Sequence, residues 1–251
     1  MLDAGTILLT LSGVFVIAFM KGGFGGGFAI VGIPLLALVM DPFQAGALLA
    51  PLFVVMDVVA LRYWSPSTWS KVDLKLLLPG LLVGIAIGTL VLDHLDSRAV
   101  SIAMALITLT FAAMWFRKRG TNTPKPRSTP KAIAAGVGSG ITTMVAHSGG
   151  PPLALYMLGL GLPKVIYAGT TSLFFTAGNL VKVVPWLWVA QPSGATWMLM
   201  GLALPVIPFG VWLGWRLHER LDQAQLYRLC YLLLCVTALK LLWDGVSGYL
   251  G

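Results

Sequence analysis

"VAHSGGPPLALYM", Val145 to Met157, sets a histidine, a serine, two glycines and two prolines inside an otherwise apolar stretch. Glycine weakens a helix interior, and proline removes a backbone donor and clashes with the preceding turn. A helix therefore stops here. Pro151 or Pro152 fits the first turn of a new helix, where a missing N–H costs little. The stretch predicts one helix ending and another beginning within an apolar layer.

That layer is a bilayer. The chain has 251 residues, of which 57% are hydrophobic and 10% charged, whereas a soluble domain carries about 25% charge. Apolar runs occupy roughly 5–20, 28–40, 43–61, 76–92, 99–116, 132–146, 151–160, 165–183, 197–215 and 225–243. Several reach the roughly 17 residues needed to cross the hydrocarbon core. The fold class is an all-α polytopic integral membrane protein with no separate soluble domain. The pairs 5–20/28–40 and 132–146/151–160 are short, and each is split by a glycine-rich step. Each reads as a broken or re-entrant hairpin beside six full spans; ten crossings is the alternative. The N-terminal "MLDAGTILLTLSG" lacks the basic region of a signal peptide, so the first run is expected to stay in the mature protein.

The net charge of +8 is carried in short loops between apolar runs. It therefore speaks to orientation rather than to a nucleic-acid partner. Arg117 to Lys131, "RKRGTNTPKPRSTPK", holds six basic residues and no acids and is expected in the cytoplasm. Counting spans outward puts thirteen lysines and arginines inside and three outside: Arg98, Lys182 and Lys240. Lys21 stays unassigned. Both termini then lie on the non-cytoplasmic side of the inner (plasma) membrane.

Shifting the sequence by about 122 residues brings similar features into register. "FGGGFAIVGIP" (24–34) meets "HSGGPPLALYM" (147–157), and "PLFVVMD" (51–57) meets "LFFTAGN" (173–179). "GIAIG" (84–88) meets "GVWLG" (210–214). Residues 1–116 and 132–251 are read as two repeats joined by the basic linker 117–131. Each is a broken hairpin plus about three transmembrane helices, and their topologies are inverted. Inverted repeats with interrupted helices are a recurring plan of secondary transporters, with the site near the midplane.

An interrupted helix in lipid leaves amides that need partners. A helix start carries partial positive charge and binds anions. Gly149 and Gly150, with Gly25, Gly26 and Gly27 in the other half, would let an anion approach the backbone closely. In "GIAIG" and "GVWLG", inside continuous spans, glycine reads instead as a device for tight helix packing.

Buried polar groups in a membrane point to function. Lys21 opens the first break and either offsets an anion's charge or reaches an interface. His147 either serves an anion or a coupling proton, or caps a helix end. Ser148, Thr142, Thr143, Thr170, Thr171 and Ser172 supply hydroxyls, part of them spent on their own helices. Asn179 and Asp57 occupy related places in the repeat. Asn179 donates without adding charge, whereas Asp57 is expected to pair with Arg62 or carry a proton. Lys182, near Trp186 and Trp188, reads as an interface anchor.

The glycine-rich break before a proline-containing short helix, its echo as "GGPP", and the following "LPKVIYAGTTSLFFTAGNLVK" (162–182) resemble the sulfite/organosulfonate exporter family of the TauE/SafE type. The resemblance covers nearly the whole chain and is sharpest over 136–183. It implies a small carrier built from a duplicated unit, with small sulfur oxyanions, organic sulfonates or carboxylates as substrates. Matching positions are Gly25, Gly26, Gly27 and Pro34, then Gly149, Gly150, Pro151, Gly169, Thr170, Thr171 and Asn179. "QAGALLAP" (44–51) departs by lacking a Thr/Ser pair after its glycine, so the substrate hydroxyls are expected from the second half.

The reading is a secondary carrier of a small anion, with lipid around it and a proton or sodium as coupling ion. An anion channel is the alternative, and a membrane-embedded enzyme is a weaker one. No G-x-x-x-x-G-K-[ST] or H-E-x-x-H occurs. Cys230 and Cys235 fall on different faces of a helix. No metal or other cofactor is expected. Monomer and homodimer both stay open, as do the anion, the direction of transport and the coupling ion.

Overall fold

The computed structural model of the chain describes residues 3–26, 39–92, 97–117, 124–147 and 149–218. It also describes positions 36, 94, 220, 235, 236, 238, 239, 242, 243, 245 and 246. The described chain is helical: α1 (Ala4–Phe24), α2 (Pro42–Ala60), α3 (Lys71–Leu92), α4 (Ser97–Arg117) and α5 (Thr129–Ala146). There follow α6 (Gly150–Met157), α7 (Lys164–Ala190), α8 (Gly194–Ala203) and α9 (Val206–His218). Local chemistry starts several of them. Asp3 caps α1 by accepting the Thr6 N–H at 2.7 Å. Asp41 caps α2 by accepting the Phe43 N–H at 2.9 Å, with Pro42 in the first turn.

Among the described residues four helices are long and apolar enough to cross a bilayer: α1, α2 (from Phe43), α3 and α7. The α8–α9 pair makes a fifth if its 44° bend is taken as one span. The sequence reads 197–215 as one uninterrupted run, yet the helix breaks at Leu204 and Pro205. Proline there lacks the N–H that would bond the preceding turn, and its ring collides with that turn. The last apolar run, 225–243, and the arm 28–40 lie largely outside the described residues. Leu8, Val58, Leu90, Val184 and Trp188 stay exposed and form the outer surface that lipid covers.

Two helix pairs lie in intimate contact, and glycine makes both possible. On α3, a Cβ at Gly84 would stand 2.2 Å from the Val137 carbonyl oxygen of α5. On α9, a Cβ at Gly214 would stand 2.0 Å from the Phe19 carbonyl oxygen of α1. The packing role expected for "GIAIG" and "GVWLG" is therefore what these glycines perform. Between the two pairs, α2 crosses α7, and the polar centre sits at that crossing.

Candidate functional site

Both glycine-rich steps stand at a helix end. α1 ends at Gly25, whose φ of 69° is left-handed. A Cβ there would also lie 1.8 Å from the Ala168 carbonyl oxygen, so only glycine serves. α5 ends at His147, itself left-handed at φ 48°, and α6 restarts at Gly150. Gly27 and Ser148 lie outside the described residues, as does the counterpart of α6 in the first half.

The C-terminal carbonyls of the broken helices would project partial negative charge into the centre. Two indoles and a lysine neutralise them. Trp64 Nε1 donates to the Lys21 carbonyl at 3.3 Å, and Trp186 Nε1 donates to the Met144 carbonyl at 2.9 Å. Lys182 Nζ donates to Thr143 Oγ1 at 2.9 Å and to the Thr143 carbonyl at 3.4 Å.

The charged groups meet at the crossing of α2 and α7. Lys21 and Asp57 form a buried ion pair, and Asn179 Nδ2 donates to the other carboxylate oxygen of Asp57. Lys21 and Lys182 both stand over the Phe53 ring, 4.8 and 4.9 Å from its centroid. A ring face attracts cations, and more strongly where water is excluded. Lys21, Asp57 and Lys182 are each 1% exposed. Asp57 therefore pairs with Lys21 rather than Arg62, which lies in the turn beyond the end of α2. Lys182 is not an interface anchor but part of the core, and it leaves the outer tally of basic residues. Among the described residues it has no carboxylate partner.

These side chains border one cavity, lined by Lys21, Gly26, Phe53, Thr143, His147, Gly150, Phe175, Asn179 and Lys182. Its volume is about 10 Å³, near the least that holds one water. Of the candidates named from the sequence, the structure brings Lys21, Gly26, Thr143, His147, Gly150 and Asn179 together, and it adds Lys182 and two phenylalanines. Other candidates fall elsewhere. Gly149 packs tightly against Phe175 and Ser139, and its carbonyl accepts the Ser139 hydroxyl. Thr170 Oγ1 accepts the Ser70 N–H at 2.8 Å, pinning the α2–α3 loop to α7. Thr171 is fully buried, and its hydroxyl has no hydrogen-bond partner among the described residues. Among the described residues no cluster of metal-binding side chains occurs.

His147 is wedged between aromatic rings, 4.8 Å from Trp186 and 5.1 Å from Phe53. Its Nε2 lies 3.0 Å from the Gly46 carbonyl oxygen, an acceptor, so Nε2 carries the proton. Nδ1 is buried and unpartnered among the described residues.

Apolar helices long enough for a bilayer, with a buried charged centre beside the ends of α1 and α5, define a polytopic membrane protein with a polar site in its core. Over residues 9–241 the sequence matches the sulfite exporter TauE/SafE family, and the chain belongs to that family. It is 22% identical over 260 residues to the probable sulfite/organosulfonate exporter TauE of Cupriavidus necator, covering 99% of this chain and 94% of that protein. No solved structure matches it.

Proposed function

We propose that the protein is a secondary transporter of small sulfur oxyanions and organosulfonates, with the anion bound between the two helix breaks. One observation carries this reading: Lys182, a buried ammonium without a carboxylate of its own, faces a cavity that Gly26 and Gly150 border at the breaks. An unpaired buried cation is costly, and a passing anion would supply the missing charge. The start of α6 adds one amide donor in its first three residues, Gly150, since Pro151 and Pro152 have no N–H. Family membership and the name of the Cupriavidus relative favour sulfite or an organosulfonate as cargo.

Alternating access fits the closed state of the cavity, which is too small for such an anion. A transporter must open the centre to one side and then the other, and a packed centre of this kind is an occluded stage. Two inverted repeats fit the helix exchange, in which α3 packs on α5 while α9 packs on α1. The contact between Asn179 and Asp57, 122 positions apart, fits it as well. Gly25 against Ala168 and His147 against Gly46 share that offset and exchange partners in the same sense. The basic linker is placed in the cytoplasm and both termini outside.

Purified protein in liposomes loaded with labelled sulfite or methanesulfonate tests this. The expected flux saturates with anion concentration, and Gly150→Leu, which puts a side chain in the anion's place, abolishes it. Flux that never saturates would point to a channel. Wild-type flux in a folded Gly150→Leu protein would overturn the site.

A further inference from the structure

We propose that the central site accepts one negative charge only, and that Asp57 sets this limit, so that the cargo is a monoanion such as an organosulfonate. This rests on the reading of the centre as the anion site and adds what charge it selects.

Charge must balance in a place so buried that water does not screen it. The ionisable groups facing the cavity come from each element packed around it. α1 supplies Lys21, α7 supplies Lys182 and the end of α5 supplies His147, all of which line it; α2 supplies Asp57, which reaches it through its ion pair with Lys21 and its hydrogen bond from Asn179. On α9, His218 is engaged with the Gly23 carbonyl and with the Phe24 and Trp64 rings. Lys21 makes contacts that a cation makes, an ion pair and a ring face. Lys182 does too: two acceptor oxygens and a ring face. Asp57 takes both of its donors, Lys21 and Asn179, on separate oxygens, which is how an ionised carboxylate is satisfied. His147 counts as neutral: Nε2 donates to Gly46, and the buried Nδ1 has no acceptor among the described residues for a second proton. Two positive charges and one negative charge leave one positive charge over.

An anion at Lys182 with a single charge closes the balance. A doubly charged anion leaves a negative charge uncompensated in a low-dielectric interior, where charge–charge energies are many times their value in water. Lys21 cannot make up the deficit, because Asp57 already holds it. Asp57→Asn keeps the size of the side chain and its contact to Asn179 but frees Lys21. The site would then hold two cations for a doubly charged guest.

Methanesulfonate and sulfate are matched for the test: both are tetrahedral around sulfur, with one charge and two. Thermal stabilisation of the full-length purified protein, titrated with each, gives two dissociation constants. In the wild type, methanesulfonate is expected to bind at least about tenfold tighter than sulfate, and in Asp57→Asn the ratio should move at least about tenfold toward sulfate. Sulfate binding as well as methanesulfonate in the wild type would overturn the inference, as would an unchanged ratio in folded Asp57→Asn. Should that variant not fold, the wild-type ratio decides. If neither anion stabilises the wild type, the anion site itself falls, and the charge rule falls with it.

Discussion

Lys182→Met separates a functional residue from a structural one, because the two roles predict opposite signs. The thioether keeps an unbranched chain of similar length against Phe53 and removes only the charge. In the free protein Lys182 is 1% exposed and lacks an acidic partner among the described residues. Its ammonium is offset by Thr143 and a ring, against a desolvation cost of several kcal/mol. Losing the Thr143 contacts costs about 1.5–3 kcal/mol for the 2.9 Å charge-assisted bond and less for the long 3.4 Å one. The variant should therefore be as stable as the wild type or more stable, by up to about 2 kcal/mol. Anion binding should move the other way. A charge-assisted hydrogen bond contributes about 1.5–3 kcal/mol, so the affinity for methanesulfonate should fall roughly 10- to 150-fold. Bare Coulomb attraction at 4 Å, with an effective dielectric constant near 20, puts the ceiling at about 4 kcal/mol. Thermal melts of both proteins across a methanesulfonate titration read the two quantities together. A lower melting temperature without ligand, combined with an undiminished response to ligand, would show that Lys182 only braces the core.

The helix seams and the linker give two more tests. Gly84→Ala sets a methyl group 2.2 Å from the Val137 carbonyl and should lower stability by about 1–3 kcal/mol or more, whereas Gly201→Ala, with nothing within 4 Å of its new Cβ, should gain up to about 1 kcal/mol; melting temperatures of the two variants check the pair. Arg127 holds the buried Asp73 through Nε at 3.0 Å and Nη2 at 3.2 Å. Arg127→Met leaves that carboxylate the Ser70 hydroxyl. The cost should be about 1–3 kcal/mol, reduced from the 3–5 kcal/mol of a fully buried pair because the Arg127 side chain is 50% exposed. The hydrogen bond to Asp73 holds the Arg127 guanidinium above its ordinary range. A raised value stabilises at every pH below the unfolded value and is lost only as pH rises through the folded one. Arg127's own titration therefore adds no pH dependence near neutrality, and a denaturation series at pH 6 to 9 should show the wild-type and Arg127→Met difference unchanged.

How far the sequence reaches can be argued from particular residues. The break at His147 to Gly150 was legible because glycine and proline act on their own turn of chain. The glycine seams were legible because only close helix contact explains such spacing within a continuous span. Lys182 was misread, since Trp186 and Trp188 flank it as an interface belt would. Yet Trp186 is buried and Trp188 is 78% exposed, because two residues along a helix point to opposite sides. Phe175, Asn179, Lys182 and Trp186 recur at four, three and four residues, a buried stripe of helical period. That spacing was the available signal. The partner of Asp57 was beyond reach, since Lys21 lies 36 positions away and the chain alone does not say which helices meet. The α8–α9 bend was signalled by Pro205 but hidden by the apolar run around it.

An anion lodged between the two helix breaks, against Lys182, is what everything above turns on. Crystals grown with bromomethanesulfonate test it directly, because bromine scatters anomalously and marks the ligand without ambiguity. One strong bromine peak is expected in the cavity, with the sulfonate oxygens in hydrogen-bond reach of Lys182 Nζ and Phe53 or Phe175 moved aside to make room. Bromine confined to the outer loops, with the centre still closed around Lys21, Asp57 and Lys182 at saturating ligand, would contradict it.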